Sequence, residues 1–275
     1  YLVGGHYPFM QVADLRTPKD TVSGLEKLIA DVPNGEQFFT TRNGKALERI
    51  SAAEAARWVV HTQAYDPSGI RSGAVGDREV KGGKGYPIGP AWCGHLGLVW
   101  LKGKNFNETL LLNLVPADAG DLKGVPVTTE WDWCTWEVST PETSARGNYS
   151  RLDPKGTPRD LSIPRLLTWH SRRIKLIGDP SGVTSVVLAQ GDKLAPQQMQ
   201  RYEPQSLWRY SLPQSRDFKQ DVYMPSKFKA GRALWRDLPG TLPVCEMIKG
   251  ADKQPKREFL QSAVLSFHAE LKSSM

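Results

Sequence analysis

Arg172-Arg173-Ile174-Lys175-Leu176-Ile177-Gly178-Asp179-Pro180-Ser181-Gly182-Val183-Thr184-Ser185-Val186-Val187-Leu188-Ala189 reads as two strands around a turn. Residues 172–177 and 183–189 are rich in β-branched and aliphatic side chains, which suit a pleated surface. Asp179-Pro180-Ser181-Gly182 supplies the reversal between them: proline presets φ, Asp and Ser bond nearby backbone, and glycine tolerates a left-handed turn. An antiparallel hairpin is therefore expected. Set among helical segments it gives an α+β fold, with mixed helices and antiparallel hairpins in one large domain.

Three helices are expected upstream. Residues 21–32 carry Leu25, Leu28, Ile29 and Val32 at three- and four-residue spacing, with Pro33-Asn34-Gly35 as a stop. Ser51-Ala52-Ala53-Glu54 forms a capping box, in which hydroxyl and carboxylate satisfy the free amides of a helix start. Ala53, Ala56, Val60 and Ala64 then mark its expected buried face. Asn107-Glu108 opens a third helix whose Leu110, Leu111, Leu112, Leu114 and Val115 are apolar nearly all round, which places it deep in the core. Downstream, residues 256–272 read as a closing helix. Residues 116–164, rich in Pro, Gly, Thr and Trp without a steady period, read as loops and short elements.

At 275 residues and 39% hydrophobic content the chain can bury a real core, and no apolar run approaches the length of a membrane span. Cys93, Cys134 and Cys245 are odd in number and lack a CxxC spacing, which fits a reducing cytoplasm and argues against a disulfide framework or cysteine zinc site. The chain opens at Tyr1 inside an apolar, glycine-containing sequence, as a fragment of something longer would. Its net charge of +7 is uneven. Residues 146–236 carry 17 basic and 7 acidic side chains, so the excess is concentrated in one third of the chain and can act over one surface, as a polyanionic partner requires. Within that third, basic residues alternate with aromatics from Gln200 to Arg236, including Arg201, Trp208, Arg209 and Tyr210.

Residues 66–90, DPSGIRSGAVGDREVKGGKGYPIGP, hold seven glycines in twenty-five positions. The run packs no core by its pattern, yet it is too particular for a linker. Gly69 and Gly73 remove Cβ atoms that would keep backbone from a ligand, and Arg71, Arg78, Lys81 and Lys84 stud the same stretch. Such a loop suits a polyanion. A polar loop at residues 36–49 places Phe38 and Phe39 side by side.

Catalytic constellations are thin. Cys93 and His95, two apart in Trp92-Cys93-Gly94-His95, would share one face of a strand, with no third member to orient the imidazole. A packed cysteine beside a locally bonded histidine explains them as well. Gly82-Gly83-Lys84-Gly85 lacks the Walker spacing and its following hydroxyl. The competing function class is a cytoplasmic hydrolase of a polyanionic or carbohydrate substrate, acting through Cys93 and His95 or through Asp132 and Glu137 near Trp131, Trp133 and Trp136.

Several segments, in order, resemble the CasA family, the large subunit of type I-E CRISPR Cascade surveillance complexes. They are His6-Tyr7-Pro8-Phe9-Met10-Gln11-Val12, LEKLIADVPNG at 25–35, His61-Thr62-Gln63-Ala64-Tyr65, DPSGIRSGAVGD at 66–77, NETLLLNLV at 107–115, Leu167-Thr168-Trp169-His170-Ser171-Arg172-Arg173-Ile174, and Arg232-Ala233-Leu234-Trp235. The resemblance implies a non-catalytic subunit without cofactor that recognises the protospacer-adjacent motif in target double-stranded DNA, largely from the minor groove. It further implies help with duplex opening and R-loop formation, and recruitment of a helicase-nuclease. Partners would be the target duplex, guide RNA, other Cascade subunits and that effector, with no membrane. The family's glycine loop falls on Gly69, Ile70, Arg71, Ser72 and Gly73, and its loop contacting guide RNA or a neighbouring subunit on Phe39, Thr40 and Thr41. Arg201 is the basic residue nearest the family's minor-groove lysine. Some members carry a cysteine zinc motif in the hairpin region; residues 179–193 here hold no cysteine, so no zinc site is implied. On this resemblance the chain is the N-terminal α+β domain of the large subunit without its first segment, and the C-terminal helix bundle is not in it.

Overall fold

The computed structural model describes residues 2–32, 40, 42, 45–114, 133–138, 147–149, 161–200, 202–228, 231, 241 and 247–273. In chain order the helices are α1 (Lys45–Glu48), α2 (Ala52–Tyr65), α3 (Phe106–Leu112), α4 (Thr135–Val138), α5 (Ile163–Leu167), α6 (Leu212–Phe218) and α7 (Ala263–Ser273). The strands are β1 (Arg71–Ser72), β2 (Lys84–Gly85), β3 (Asn148–Tyr149), β4 (Arg172–Asp179), β5 (Gly182–Gln190), β6 (Lys193–Leu194), β7 (Trp208–Tyr210), β8 (Tyr223–Pro225), β9 (Met247–Lys249), β10 (Pro255–Arg257) and β11 (Phe259–Leu260). This is an α+β fold, divided by its contacts into two compact units. One comprises residues 1–94, 133–149 and 167–194, the other residues 95–132, 150–166 and 195–275. No helix among the described residues is long and apolar enough to cross a membrane.

The first unit is organised by the expected hairpin. β4 and β5 pair antiparallel with Arg172 opposite Gln190, Ile174 opposite Leu188 and Leu176 opposite Val186, and the register shifts between Ile177 and Gly178. Both faces are covered. Ile174, Leu176, Val186 and Leu188 pack with Met10, Leu25, Leu28, Ile29, Ala55 and Val59, while Val187 and Ala189 pack with Val12, Leu15 and Ala74. Burial on two sides explains why Val186-Val187-Leu188-Ala189 reads as an unbroken apolar run rather than an alternating one.

Two strands alone leave two edges with unpaired amides and carbonyls, and the chain meets them piecemeal. Along β5, Ser23 exchanges both backbone hydrogen bonds with Val186, and Ile50 does the same with Val183, all at 2.9 Å. Along β4, Val12 N donates to Ile174 O at 2.8 Å. The Gln11 side chain accepts from Leu176 N at 2.7 Å, and Gln63 both accepts from Arg172 N and donates to Arg172 O at 2.9 Å.

This edge pairing overturns the helix expected at residues 21–32. Only a 3-10 turn, Leu25–Lys27, forms there. Leu25, Leu28, Ile29 and Val32 are buried as the spacing suggested, but Ser23 is committed to the strand edge, and so short a helix has little intrinsic stability to compete with that pairing. α2 forms where expected, yet it buries Ala55, Val59, Thr62 and Gln63 instead of Ala53, Ala56, Val60 and Ala64, and Val60 is 47% exposed. Thr62 and Gln63 are polar side chains whose partners are backbone groups of the core, so a count of apolar residues rotates the face by one position.

In the second unit β7 is the middle of a three-stranded antiparallel sheet, between β11 and β8. Trp208 and Tyr210 are buried and Arg209 between them is exposed. At β7 the alternation of basic and aromatic residues is thus a strand pleat, aromatic inward and charge outward. α3 is not the deep core helix expected: none of its residues is buried, and Leu110, Leu111 and Leu114 lie exposed. Polar links anchor it instead, with Asn105 Oδ1 accepting from Glu108 N and Asn113 bonding both the N–H and the C=O of Leu101. The tail is helical only from Ala263, because Phe259 and Leu260 pair with Arg209 and Trp208 and Lys256 lies in the β9–β10 ribbon. Ser262 supplies the start, accepting from Leu265 N.

Candidate nucleic-acid interface

The glycine-rich stretch begins where α2 ends. Asp66 N donates to Thr62 O, and at ψ 128° the chain leaves the helix. From there residues 71–72 pair with 84–85 as a short antiparallel ribbon, and Gly73 N donates to Gly83 O at 2.9 Å. The stretch does pack against a core, contrary to its pattern, since Ala74 is buried beside Val187 and Ala189.

One side chain secures both ends of it. Arg172, 1% exposed in β4, donates from Nε to the Asp66 carboxylate. Its Nη2 donates to Asp66 O at 3.2 Å, to Pro67 O at 3.2 Å and to Gly89 O at 3.0 Å, so residues 66–67 and residue 89 are tied to a single guanidinium. Gln190, opposite Arg172 on β5, donates to Gly69 O at 2.8 Å. Burial draws the Arg172 pKa below its ordinary value, and the adjacent Asp66 carboxylate opposes that shift.

The five glycine-loop residues lie together but differ in what they can offer. Ile70 is 55% exposed and Ser72 is exposed, so this edge faces outward. A Cβ built on Gly69 would meet only the end of the Arg71 side chain, at 3.1 Å. Arg71 is internally engaged: its Nη2 donates to Asp66 Oδ2 at 2.6 Å and to Pro67 O at 3.0 Å. Gly73 is buried, and a Cβ there would stand 2.9 Å from Gly83 O, so this glycine permits the ribbon to close. Thr40 is half-buried and its hydroxyl accepts from Arg42 N at 3.1 Å. Phe38, Phe39, Thr41 and Arg201 lie outside the described residues.

Of the positions chosen for enzymatic chemistry, Cys93, His95 and Glu137 lie among the described residues. Trp92–His95 is a 3-10 turn, not a strand, so Cys93 and His95 do not share a pleat face. Cys93 is hydrogen-bonded to Tyr65, whose pKa is raised by burial first and by Cys93 second. The Glu137 carboxylate accepts from Cys134 N at the start of α4, while Asp132 lies outside the described residues. Among the described residues no group of three or more His, Cys, Asp or Glu side chains could hold a metal ion. Sequence reasoning missed the supports of the loop, Asp66, Arg172 and Gln190. A signal was available in the arginine pair heading an apolar strand, because a buried arginine requires a carboxylate partner. The same argument trims the basic third of the chain, for Arg173 is also buried and pairs with Asp192 at 2.9 Å.

Comparison with known proteins gives a consistent result. The family model described as CRISPR-associated protein Cse1 matches residues 1–274. A crystal structure of Thermobifida fusca Cse1 superposes with a TM-score of 0.79 at 43% identity, covering 97% of this chain and 47% of that one. A curated relative from Thermus thermophilus, the CRISPR-associated protein CasA/Cse1, is 28% identical over 241 residues, which is 86% of this chain and 40% of the relative. A chain of a CRISPR RNA-guided surveillance complex shares the fold, with a TM-score of 0.56 at 21% identity over 94% of this chain and 46% of that one. The chain thus spans less than half the length of these relatives.

Proposed function

The chain belongs to the Cse1 family of CRISPR-associated proteins, and from that premise we propose that it is part of a surveillance-complex subunit that recognises a short motif in duplex DNA beside the guide-matched target. The observation that carries this reading is the loop edge at Gly69, Ile70 and Ser72, where Ile70 and Ser72 are exposed and Gly69 is half-buried, on a loop whose two ends are bound to the buried Arg172. A minor-groove reader needs close backbone approach more than a bulky recognition helix, because the groove is narrow and its code degenerate. In this division of labour the protein reads the motif and base pairing with guide RNA reads the rest.

The proposed partners are therefore target duplex, guide RNA, neighbouring Cascade subunits and a helicase-nuclease effector, and the proposed role is binding, duplex opening and R-loop support without catalysis. Phe39, Thr40 and Thr41 are proposed to contact RNA or a neighbouring subunit, and Arg201 to contact the groove.

Gly69→Asp tests the reading. Gly69 has no left-handed φ and open surroundings apart from the flexible end of Arg71, so the fold should accept the change. The carboxylate would hold backbone away from base edges and repel phosphates. In the complex assembled on guide RNA, the variant should lose the preference for motif-containing over motif-free duplex while keeping guide RNA and the parent melting temperature. Full preference in a well-folded variant would sink the assignment of this loop as the reader and turn attention to the segment around Arg201.

A further inference from the structure

Groove recognition leaves the far half of the glycine-rich stretch unused. Lys81-Gly82-Gly83-Lys84 is a two-residue hairpin: Lys81 N donates to Lys84 O and Lys84 N to Lys81 O, both at 3.1 Å. Gly82 and Gly83 sit at φ 58° and 73°, the left-handed values such a turn demands at both central positions. Nothing lies within 4 Å of a Cβ built on either glycine, so the tip projects into open space.

A turn of this kind sets Lys81 and Lys84 directly opposite each other, with side chains on one face and Cβ atoms about 5 Å apart. Like charges so placed repel. Both lysines are exposed, and among the described residues no carboxylate pairs with either. Cross-strand pairing continues from Lys84 to Ser72. Ser72, Lys84 and Lys81 therefore form one row, the lysines standing roughly 5 and 10 Å from the exposed loop edge at about 5 Å per strand. Beside the row lies an open cleft of about 450 Å³, walled by Lys81, Tyr86, Lys193 and the backbone at Gly147, with Glu79 the one acid among its described lining residues.

We infer that Lys81, Lys84 and Lys193 form a phosphate-gripping edge that holds the DNA backbone flanking the motif. The inference rests on the groove-reading role of the Gly69 to Ser72 edge. A bound phosphate supplies the negative charge that the opposed lysines lack and converts their repulsion into shared attraction. Contacts of this class position the protein on the duplex and carry no sequence information. The row geometry gives the lysines the task of setting register, while the edge at Ser72 meets the groove.

The test uses the complex assembled on guide RNA, with duplex DNA matching the guide and either containing or lacking the motif. Lys81→Gln combined with Lys84→Gln, and separately Lys193→Gln, should weaken both duplexes by the same factor. The slope of log affinity against log salt should become shallower by about 0.9 for each phosphate no longer neutralised. The matching arginine variants should restore affinity, and the double glutamine variant should melt no lower than the parent, because a repulsive pair has been removed. Unchanged affinity and slope would overturn the inference, as would a loss confined to motif-containing duplex or a loss of guide RNA or subunits with duplex affinity intact. A parent complex without motif preference would instead defeat the groove reading, and the salt slope would still decide whether these lysines touch phosphate.

Discussion

Arg172 is 1% exposed, yet its nitrogens find partners on every side. A guanidinium out of water is costly unless its donors are met and a counter-charge is near. Here the Asp66 carboxylate and four backbone carbonyls, of Ser171, Asp66, Pro67 and Gly89, take its hydrogens. Removing Arg172 leaves the buried Asp66 carboxylate with Arg71 as its one remaining guanidinium partner and takes the donor from four backbone carbonyls. Arg172→Ala should therefore destabilise the fold by about 3–5 kcal/mol, measured by urea unfolding. Arg172→Lys should recover little of it, since a single ammonium cannot span both ends of the loop. A loss below about 1 kcal/mol would mean that the ion pair behaves as an exposed one. The neighbouring glycines separate the same way: Gly73 is required by the ribbon it closes, whereas Gly69 is free of that constraint.

Elements whose local chemistry is self-contained were legible before any contact was known. The hairpin was one, because turn residues and flanking β-branched runs are adjacent in sequence. The start of α2 was another, though only half of its capping box forms. Ser51 Oγ accepts from Glu54 N at 3.2 Å, but the Glu54 carboxylate turns to Trp58 Nε1 and Arg42 instead of back to the cap amide. Ser51→Ala should then cost about 1 kcal/mol, the ordinary loss of one N-cap bond. Equal urea midpoints for parent and variant would show that α2 is held by packing alone. Elements that depended on remote pairing were misread. Residues 21–32 had helical spacing but spend Ser23 on Val186, and residues 256–260 had no local sign of their partners in β7 and β9.

At the level of the molecule, pH response follows from what burial does to charge. Glu203 is 1% exposed and accepts from Gln205 N at 3.0 Å and Ser206 N at 2.6 Å. Burial nevertheless dominates and raises its pKa above the ordinary glutamate value. A raised folded pKa means that the fold prefers the protonated form. The associated stability is fully present below the unfolded value of about 4.3 and is lost as pH rises through the higher folded value. Glu203→Gln lacks that titration. Its stability relative to the parent should improve as pH is raised from about 4 and then level off, as read from melting temperatures across the series. A difference independent of pH would show that Glu203 titrates normally.

By itself the sequence determined the α+β class, the hairpin, the helix after Ser51 and the presence of a shaped glycine stretch, because each depends on residues close together in the chain. It also marked the neighbourhood of the candidate site, through Gly69 to Gly73. Only the tertiary structure decided which residues of that stretch face outward. Arg71 is withdrawn from the surface by Asp66, which is bound in turn by Arg172 more than a hundred positions away. Lys81 and Lys84 are set in opposition by the Gly82-Gly83 turn, a local glycine signal whose hairpin pairing and exposed tip the folded chain makes visible. Burial and pairing over long sequence separations are properties of the folded chain as a whole, and spacing along one segment does not encode them.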